Sequence, residues 1–326
     1  MRLVLQLASL LLRGTALMLG LTGTALAAAA LGGAFSDRLD ALTHFTPLYL
    51  ALGLGGVGLG LAGARGGERR VIVGLGLACV LACGLLMGPE LLAAAGPKAK
   101  PSAQDLTLVQ FNVWAQNHDP DASLAWILAQ KADLVLIEEG GGEAWPIIRA
   151  LRKTYPYAVS CAGKGSCDTW IFSRRRMVAR RGLYTQDQPF SGAWATLADP
   201  RGDFTVVAAH YVWPIPAGPQ QAQSRYLASV LAPFDHAGLI VGGDFNSTPW
   251  SFSLRRQDRA FGLQRRTRAL ASWPSGAFSR LAKAPFPLLP IDHVYAGKAW
   301  KTVSVTRGPA LGSDHRPVVV RLRRQP

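Results

Sequence analysis

Asp244 and Asn246 stand in Gly242-Gly243-Asp244-Phe245-Asn246, directly after the short β-branched run Leu239-Ile240-Val241. Such a run reads as a buried strand, and the glycine pair as a sharp turn that delivers both polar residues to the strand's mouth. Side chains two positions apart share a face, and a carboxylate beside a neutral amide suits a divalent cation and a phosphoryl oxygen. Asp and Asn are also ordinary residues of an Asx turn capping a following helix, so this motif alone leaves two readings open.

More polar groups end other apolar runs. Asp133-Leu134-Val135-Leu136-Ile137 leads into Glu138-Glu139. Adjacent carboxylates at the end of a buried strand cost desolvation energy unless a cation or donors receive them, and alternation lets only one of the two enter a site. Leu106 to Trp114 carries Asn112 near its end, and Phe204 to His210 ends in an imidazole. That His210 is either a satisfied core residue or a general acid. Asp292 lies on the short run Pro290 to Tyr295. Asp314-His315 precedes the strand Val318 to Leu322, where a carboxylate beside an imidazole would orient a general base or simply form a polar turn. His44, His118, His236 and His293 have no comparable setting.

The elements that must position these groups alternate along the second part of the chain. Strands are expected at 169–173 and 193–197 besides those named, with helices from Pro120 to Gln130 and from Gln220 to Leu231. Gly96-Pro97-Lys98-Ala99-Lys100-Pro101 opens a Pro-bounded linker over 97–103, and the domain proper occupies 104–326. Lys and Arg number 35 against 20 Asp and Glu. Residues 1–97 hold 6 and 4 of these, so the excess of 29 over 16, or +13, belongs to the second part. A basic surface favours polyanions or an anionic membrane face, or serves solubility alone.

Residues 1–96 read as a membrane anchor. The stretches 14–35, 45–64 and 71–88 are each long and apolar enough to cross a bilayer as a helix. Arg2 and Arg13 precede the first, and Arg65, Arg69 and Arg70 separate the second from the third. The positive-inside rule then puts the catalytic part outside the cytoplasm, on the periplasmic face of a bacterial inner membrane. A signal peptide cleaved after Ala25-Leu26-Ala27 is the rival reading of the first stretch and leaves that address unchanged. The Gly-rich second stretch allows close helix packing, and no intramembrane charge hints at transport. Cys79 and Cys83 suit apolar packing in the third stretch. Cys161 and Cys167 flank a Gly-containing loop that a disulfide would close in an oxidising compartment. Four cysteines without clustered histidines give no zinc signature.

Taken in order, Asn112, Glu139, His210, Asp244 with Asn246, Asp292 and Asp314-His315 resemble the endonuclease/exonuclease/phosphatase superfamily, which includes deoxyribonuclease I and the bacterial sphingomyelinases. Gly-Asp-Phe-Asn and Ser-Asp-His are its sharpest motifs, and Trp273-Pro274-Ser275 is also familiar. The resemblance implies a four-layer α/β/β/α sandwich whose strand ends form one cleft, with Mg²⁺ (Mn²⁺ as an alternative) as cofactor in phosphoester cleavage. It makes Glu139 the metal ligand, with Asn112, Asp244 and Asp314 beside it. His210 and Asn246 would contact phosphoryl oxygens, Asp244 would stand near the nucleophilic water, and His315, oriented by Asp292, would be the general base. The family usually has Gln where this chain has Glu138, which adds a negative charge if that side chain faces inward. The anchor resembles that of bacterial members with N-terminal helices and suggests a lipid-linked phosphate or pyrophosphate. The alternatives are an envelope nuclease acting on DNA or RNA, or a catalytically dead anion-binding module. No obligate protein partner is evident.

Overall fold

In a computed structural model the chain divides into two compact units, Met1–Ala93 with Thr248–Arg255, and Ala94–Ser247 with Arg256–Pro326. The structure describes residues 1–94, 98–162, 167–277 and 283–325. Pro97 of the expected linker and the loop 163–166 between the cysteines lie outside them.

The first unit contains α1 (Arg2–Leu31), α2 (Asp37–Asp40), α3 (Thr46–Gly63) and α4 (Gly66–Ala93). Its three long segments, Arg2–Ala34, Asp37–Gly63 and Gly66–Ala93, have the length and apolar composition to cross a membrane. The glycines of α3 bring the helices together. A Cβ on Gly56 would stand 2.9 Å from the Gly20 backbone, and one on Gly53 2.9 Å from Cys79. Small residues are what let helix backbones approach where lipid offers no hydrophobic contrast. Cys79 and Cys83 are buried free thiols in this bundle.

The second unit is built on two mixed sheets. One runs β13 (Trp300–Arg307), β14 (Val318–Arg324), β1 (Leu106–Asn112), β2 (Leu134–Glu138), β4 (Trp170–Ser173) and β3 (Tyr157–Ser160). The other runs β5 (Met177–Gly182), β6 (Ser191–Leu197), β7 (Phe204–His210), β8 (Ile240–Asp244), β12 (Asp292–Ala296) and β9 (Gln264–Arg265). A small hairpin pairs β10 (Gly276–Ala277) with β11 (Lys283–Ala284). The crossovers of the parallel pairs β1/β2 and β7/β8 carry α5 (Pro120–Ala129) and α7 (Ala217–Leu231) respectively. α6 (Trp145–Thr154) follows β2, and α8 (Phe252–Phe261) follows β8.

Alternation along the strands divides the core. Leu108, Leu134 and Leu136 point from the first sheet against Val206, Ala208 and Ile240 of the second. Val109, Phe111, Val135 and Ile137 point the other way, against Ile127, Ile147 and Leu151 of α5 and α6. Helix, sheet and sheet are thus stacked as an α/β sandwich, the expected fold class.

The glycine pair does something other than turn the chain. Strand β8 continues through Gly242 and Gly243 to Asp244. A Cβ on Gly242 would stand 2.7 Å from Leu136 Cδ1 of the facing sheet. One on Gly243, at φ +150°, would stand 1.9 Å from the carbonyl oxygen of Ala209 in β7. The glycines therefore admit close backbone approach inside a strand, where a turn was expected. Cys161 and Cys167 are joined as a disulfide with Cα atoms 5.5 Å apart.

Candidate active site

Strand register assembles the site. In the second sheet, parallel β7 and β8 place His210 opposite Asp244, and antiparallel β12 places Asp292 opposite the same Asp244. In the first, parallel β1 and β2 place Asn112 opposite Glu138. The ends of two parallel pairs, one from each sheet, thereby present their polar residues together.

Asn112 links the sheets: its Nδ2 donates to Glu139 Oε1 and to Asp244 Oδ2, both at 3.0 Å. Its Oδ1 accepts from the N–H of Trp114 at 3.0 Å. Strict alternation would send Glu139 away from Glu138, yet both carboxylates turn toward the site. The reason is backbone: β2 ends at Glu138, and Glu139 adopts a left-handed conformation with φ 53°. Asn246 likewise reaches its place through φ 48° instead of strand alternation. Its N–H donates to Asp244 Oδ1 at 2.8 Å, and its Nδ2 to the carbonyl of Tyr211 at 2.8 Å.

His315 is held between two carboxylates. Its Nδ1 stands 2.8 Å from Asp292 Oδ2, and its Nε2 stands 3.6 Å from Asp244 Oδ2. His210 Nε2 lies 3.8 Å from both Glu139 Oε1 and Asp244 Oδ2. Burial alone would push His315 down, but the charges of Asp292 and Asp244 overcome it and hold the imidazole well above its ordinary pKa. Burial drives Asp292 up, and the His315 charge with its hydrogen bond outweighs that, leaving the carboxyl below its usual range. Asp244 has no such direct bond from the imidazole, and burial pushes it up to about 6.

Sequence reasoning missed Gln110. Its Nε2 donates to Glu138 Oε2 at 2.9 Å and to Asp292 Oδ1 at 2.8 Å, beneath the His315 couple. A lone polar residue inside an apolar strand was the available signal. Glu138 does face inward and is fully buried, but burial holds its carboxyl well above the ordinary range, with Asp292 and Asp244 adding to the effect. That shift favours the uncharged carboxyl and so opposes the extra negative charge expected from its replacing Gln. Glu138→Gln should leave kcat within about threefold of wild type. The folded state keeps a proton that the unfolded chain releases above about pH 4.3, so wild-type stability falls as pH rises through that range and the variant should lack this slope. Thermal unfolding of both proteins between pH 4 and 8 checks it; parallel curves would refute the protonated state.

The donor set fits a hard divalent cation. Glu139 and Asp244 converge on one amide nitrogen, and Asp314 Oδ1 is buried without a hydrogen-bond partner among the described residues. Trp273 Nε1 donates to the other Asp314 oxygen at 3.2 Å. Asp244, Asp292 and His315 also present ligand atoms within 4.8 Å of one another. Asp292 and His315 are spent on each other, however, which leaves the oxygens of Glu139, Asp314 and Asp244 for a hard ion, while the Asn112 oxygen is taken by the N–H of Trp114. Because Asp244 must lose its proton to bind metal, affinity should weaken by about tenfold per pH unit below about 6. Calorimetric Mn²⁺ titration from pH 5 to 7 measures this, and a flat affinity would contradict it.

The sequence model of the Endonuclease/Exonuclease/phosphatase family matches residues 109–315. No curated protein sequence matches the chain. An endonuclease/exonuclease/phosphatase from Beutenbergia cavernae is 21% identical with a TM-score of 0.52, covering 68% of this chain and 72% of its own. A mutant beta toxin from Staphylococcus aureus with bound magnesium ions is 13% identical with a TM-score of 0.52, covering 66% and 99%. TDP2 from D. rerio in complex with a single-strand DNA product is 13% identical with a TM-score of 0.52, covering 67% and 99%. At these identities the structures speak for the fold, while the sequence match runs through every strand end from Asn112 to His315. The chain belongs to the endonuclease/exonuclease/phosphatase family.

Proposed function

We propose that the protein is a membrane-tethered, Mg²⁺-dependent phosphoesterase whose substrate is lipid-linked and whose catalytic unit lies outside the cytoplasm. The observation that carries the reaction class is the His315 imidazole held by Asp292 at one nitrogen and facing Asp244 with the other. In this reading His315 Nε2 takes the proton of the attacking water, and Asp292 fixes the tautomer and stabilises the imidazolium that forms. His210 and the second N–H of the Asn246 amide donate to phosphoryl oxygens as charge develops there. Glu139, Asp314 and Asp244, with Asn112 beside them, would hold a divalent cation, whose positive charge would neutralise phosphoryl oxygens and offset the carboxylate field that raises the His315 pKa.

A lipid is favoured by the apolar surroundings of this site. Beyond His210 the chain exposes Val212, Trp213 and Ile215, and beyond the β10/β11 hairpin it exposes Phe286 and Leu288. Trp213 packs edge-on against Trp273 at 5.8 Å, and Trp273 is the residue bonded to Asp314. An exposed apolar cluster beside a polar site suits an amphiphilic substrate. The three apolar helices, with Arg65 between α3 and α4 and Arg69 and Arg70 near the start of α4, support the membrane address. The +13 balance of residues 98–326 favours the second reading, an envelope nuclease.

The test is a Mg²⁺-dependent panel on the full chain in detergent, offering polyprenyl pyrophosphate, phospholipids and plasmid DNA. Release of phosphate or headgroup without nicking supports the lipid reading. Nicking without lipid turnover would replace it with the nuclease.

A further inference from the structure

The chain that leaves the site after Asn246 folds with the apolar helices. Thr248–Arg255 belongs to their compact unit, and its polar groups are satisfied there. Asp40, the last residue of α2 and only 3% exposed, accepts from the backbone N–H groups of Phe252 and Ser253, both at 2.7 Å. These are first-turn donors of α8, capped from 212 and 213 residues away. The segment's own Ser251 hydroxyl accepts from the N–H of Leu254 and from the Ser253 hydroxyl, both at 3.2 Å. His44 Nδ1 accepts from the N–H of Thr248 at 3.2 Å and lies 3.0 Å from its hydroxyl. Trp250 Nε1 donates to the carbonyl of Thr43 at 2.8 Å. Gly33 leaves room for this packing, since a Cβ there would stand 2.7 Å from Asp40 Cα and 2.9 Å from the Phe252 ring. Thr43, His44, Thr248 and Trp250 are all buried.

A tether needs only a covalent link, and residues 94–105 supply one. The buried carboxylate and imidazole spent on Thr248, Phe252 and Ser253 call for another role. We propose that Asp40 and His44 are positioning residues of the phosphoesterase, acting through the backbone on Asn246. That residue sits in a left-handed conformation with φ 48°, just ahead of the clamped segment. On the near side Ser247 holds the loop, its hydroxyl donating to Gln220 at 2.9 Å and its carbonyl 2.8 Å from His293 Nε2. On the far side the hold on Thr248, Phe252 and Ser253 comes from the helical unit. A geometry fixed at both ends keeps a strained residue aimed, and small misplacements of such a donor are costly in rate. Asp40 and His44 thereby serve the loop that carries Asn246 as well as the helices they belong to. This rests on the phosphoesterase reading above.

The test uses the full chain in detergent with Mg²⁺ and the soluble diester bis(p-nitrophenyl) phosphate, alongside hydrogen exchange of the loop. Asp40→Ala should lower kcat at least tenfold with KM within threefold, and Asp40→Asn, which keeps an acceptor oxygen, should recover most of the loss. Amides of 248–253 should lose protection in Asp40→Ala, and the loss should extend to 244–247. Wild-type kcat in an Asp40→Ala protein whose 248–253 amides exchange freely overturns the proposal. If Asp40→Ala does not fold, His44→Ala is read in the same way. If the wild-type chain hydrolyses neither this diester nor any member of the panel, the phosphoesterase reading falls. Exchange then decides alone: spread into 244–247 supports positioning, and confinement to 248–253 overturns it.

Discussion

Replacing His315 with alanine is expected to lower kcat by about 10²–10⁴-fold, the range typical of a lost general base. The imidazole is 4% exposed and its two nitrogens face Asp292 and Asp244. Little of it can contact a substrate beyond the reacting atoms, so the loss should fall on kcat, with KM close to wild type. The variant also orphans Asp292, whose low pKa depends on the imidazolium, leaving a buried carboxylate partnered by Gln110. Some destabilisation is expected with it, and circular dichroism of the purified chain separates that from the chemical effect. The pH profile should change as well: the limb set by His315 deprotonation should disappear. A folded His315→Ala protein within threefold of wild-type kcat would remove the residue from the mechanism.

Gly243→Ala is expected to be among the most destabilising small substitutions in the second unit. The new methyl would stand 1.9 Å from the carbonyl oxygen of Ala209, which lies on the adjacent strand and cannot rotate away. The backbone φ of +150° adds strain for any L residue with a side chain. A loss of about 3–5 kcal/mol follows from overpacking and strain together, enough to unfold a marginal domain. Gly218→Ala is the matched control: it lies in α7, with open space where the Cβ would go, so it should be neutral or stabilising by up to about 1 kcal/mol. Thermal unfolding of the two variants should separate them widely. Equal midpoints would mean that β7 and β8 do not meet as described.

Much of this architecture could be read before the fold was known, because polar residues at the ends of β-branched runs stand out from their surroundings. Asn112, His210, Asp244 and Asp292 each close or open a strand, and pairing brings them to one edge. Positions governed by backbone conformation were not legible in this way. Glu139 and Asn246 enter the site through left-handed residues, which alternation cannot foresee. The Gly242-Gly243 pair looked like a turn because glycine permits one, whereas the demand came from Ala209 and Leu136, distant in sequence. The upward shift of the Glu138 carboxyl depends on its burial in the fold. Asp40 and His44 gave no signal because their partners lie more than 200 residues along the chain. Such tertiary capping has no local pattern to recognise.

Metal-dependent phosphoester hydrolysis at the strand ends of the two sheets underlies the expectations for the site residues. The most direct measurement is hydrolysis of bis(p-nitrophenyl) phosphate and of the lipid panel by the full chain, after chelation and again after Mg²⁺ is restored. Activity that disappears with the chelator, returns with Mg²⁺, and does not return in a folded Glu139→Ala variant is the predicted result. Turnover that persists without metal, or that Glu139→Ala leaves intact, would contradict the account.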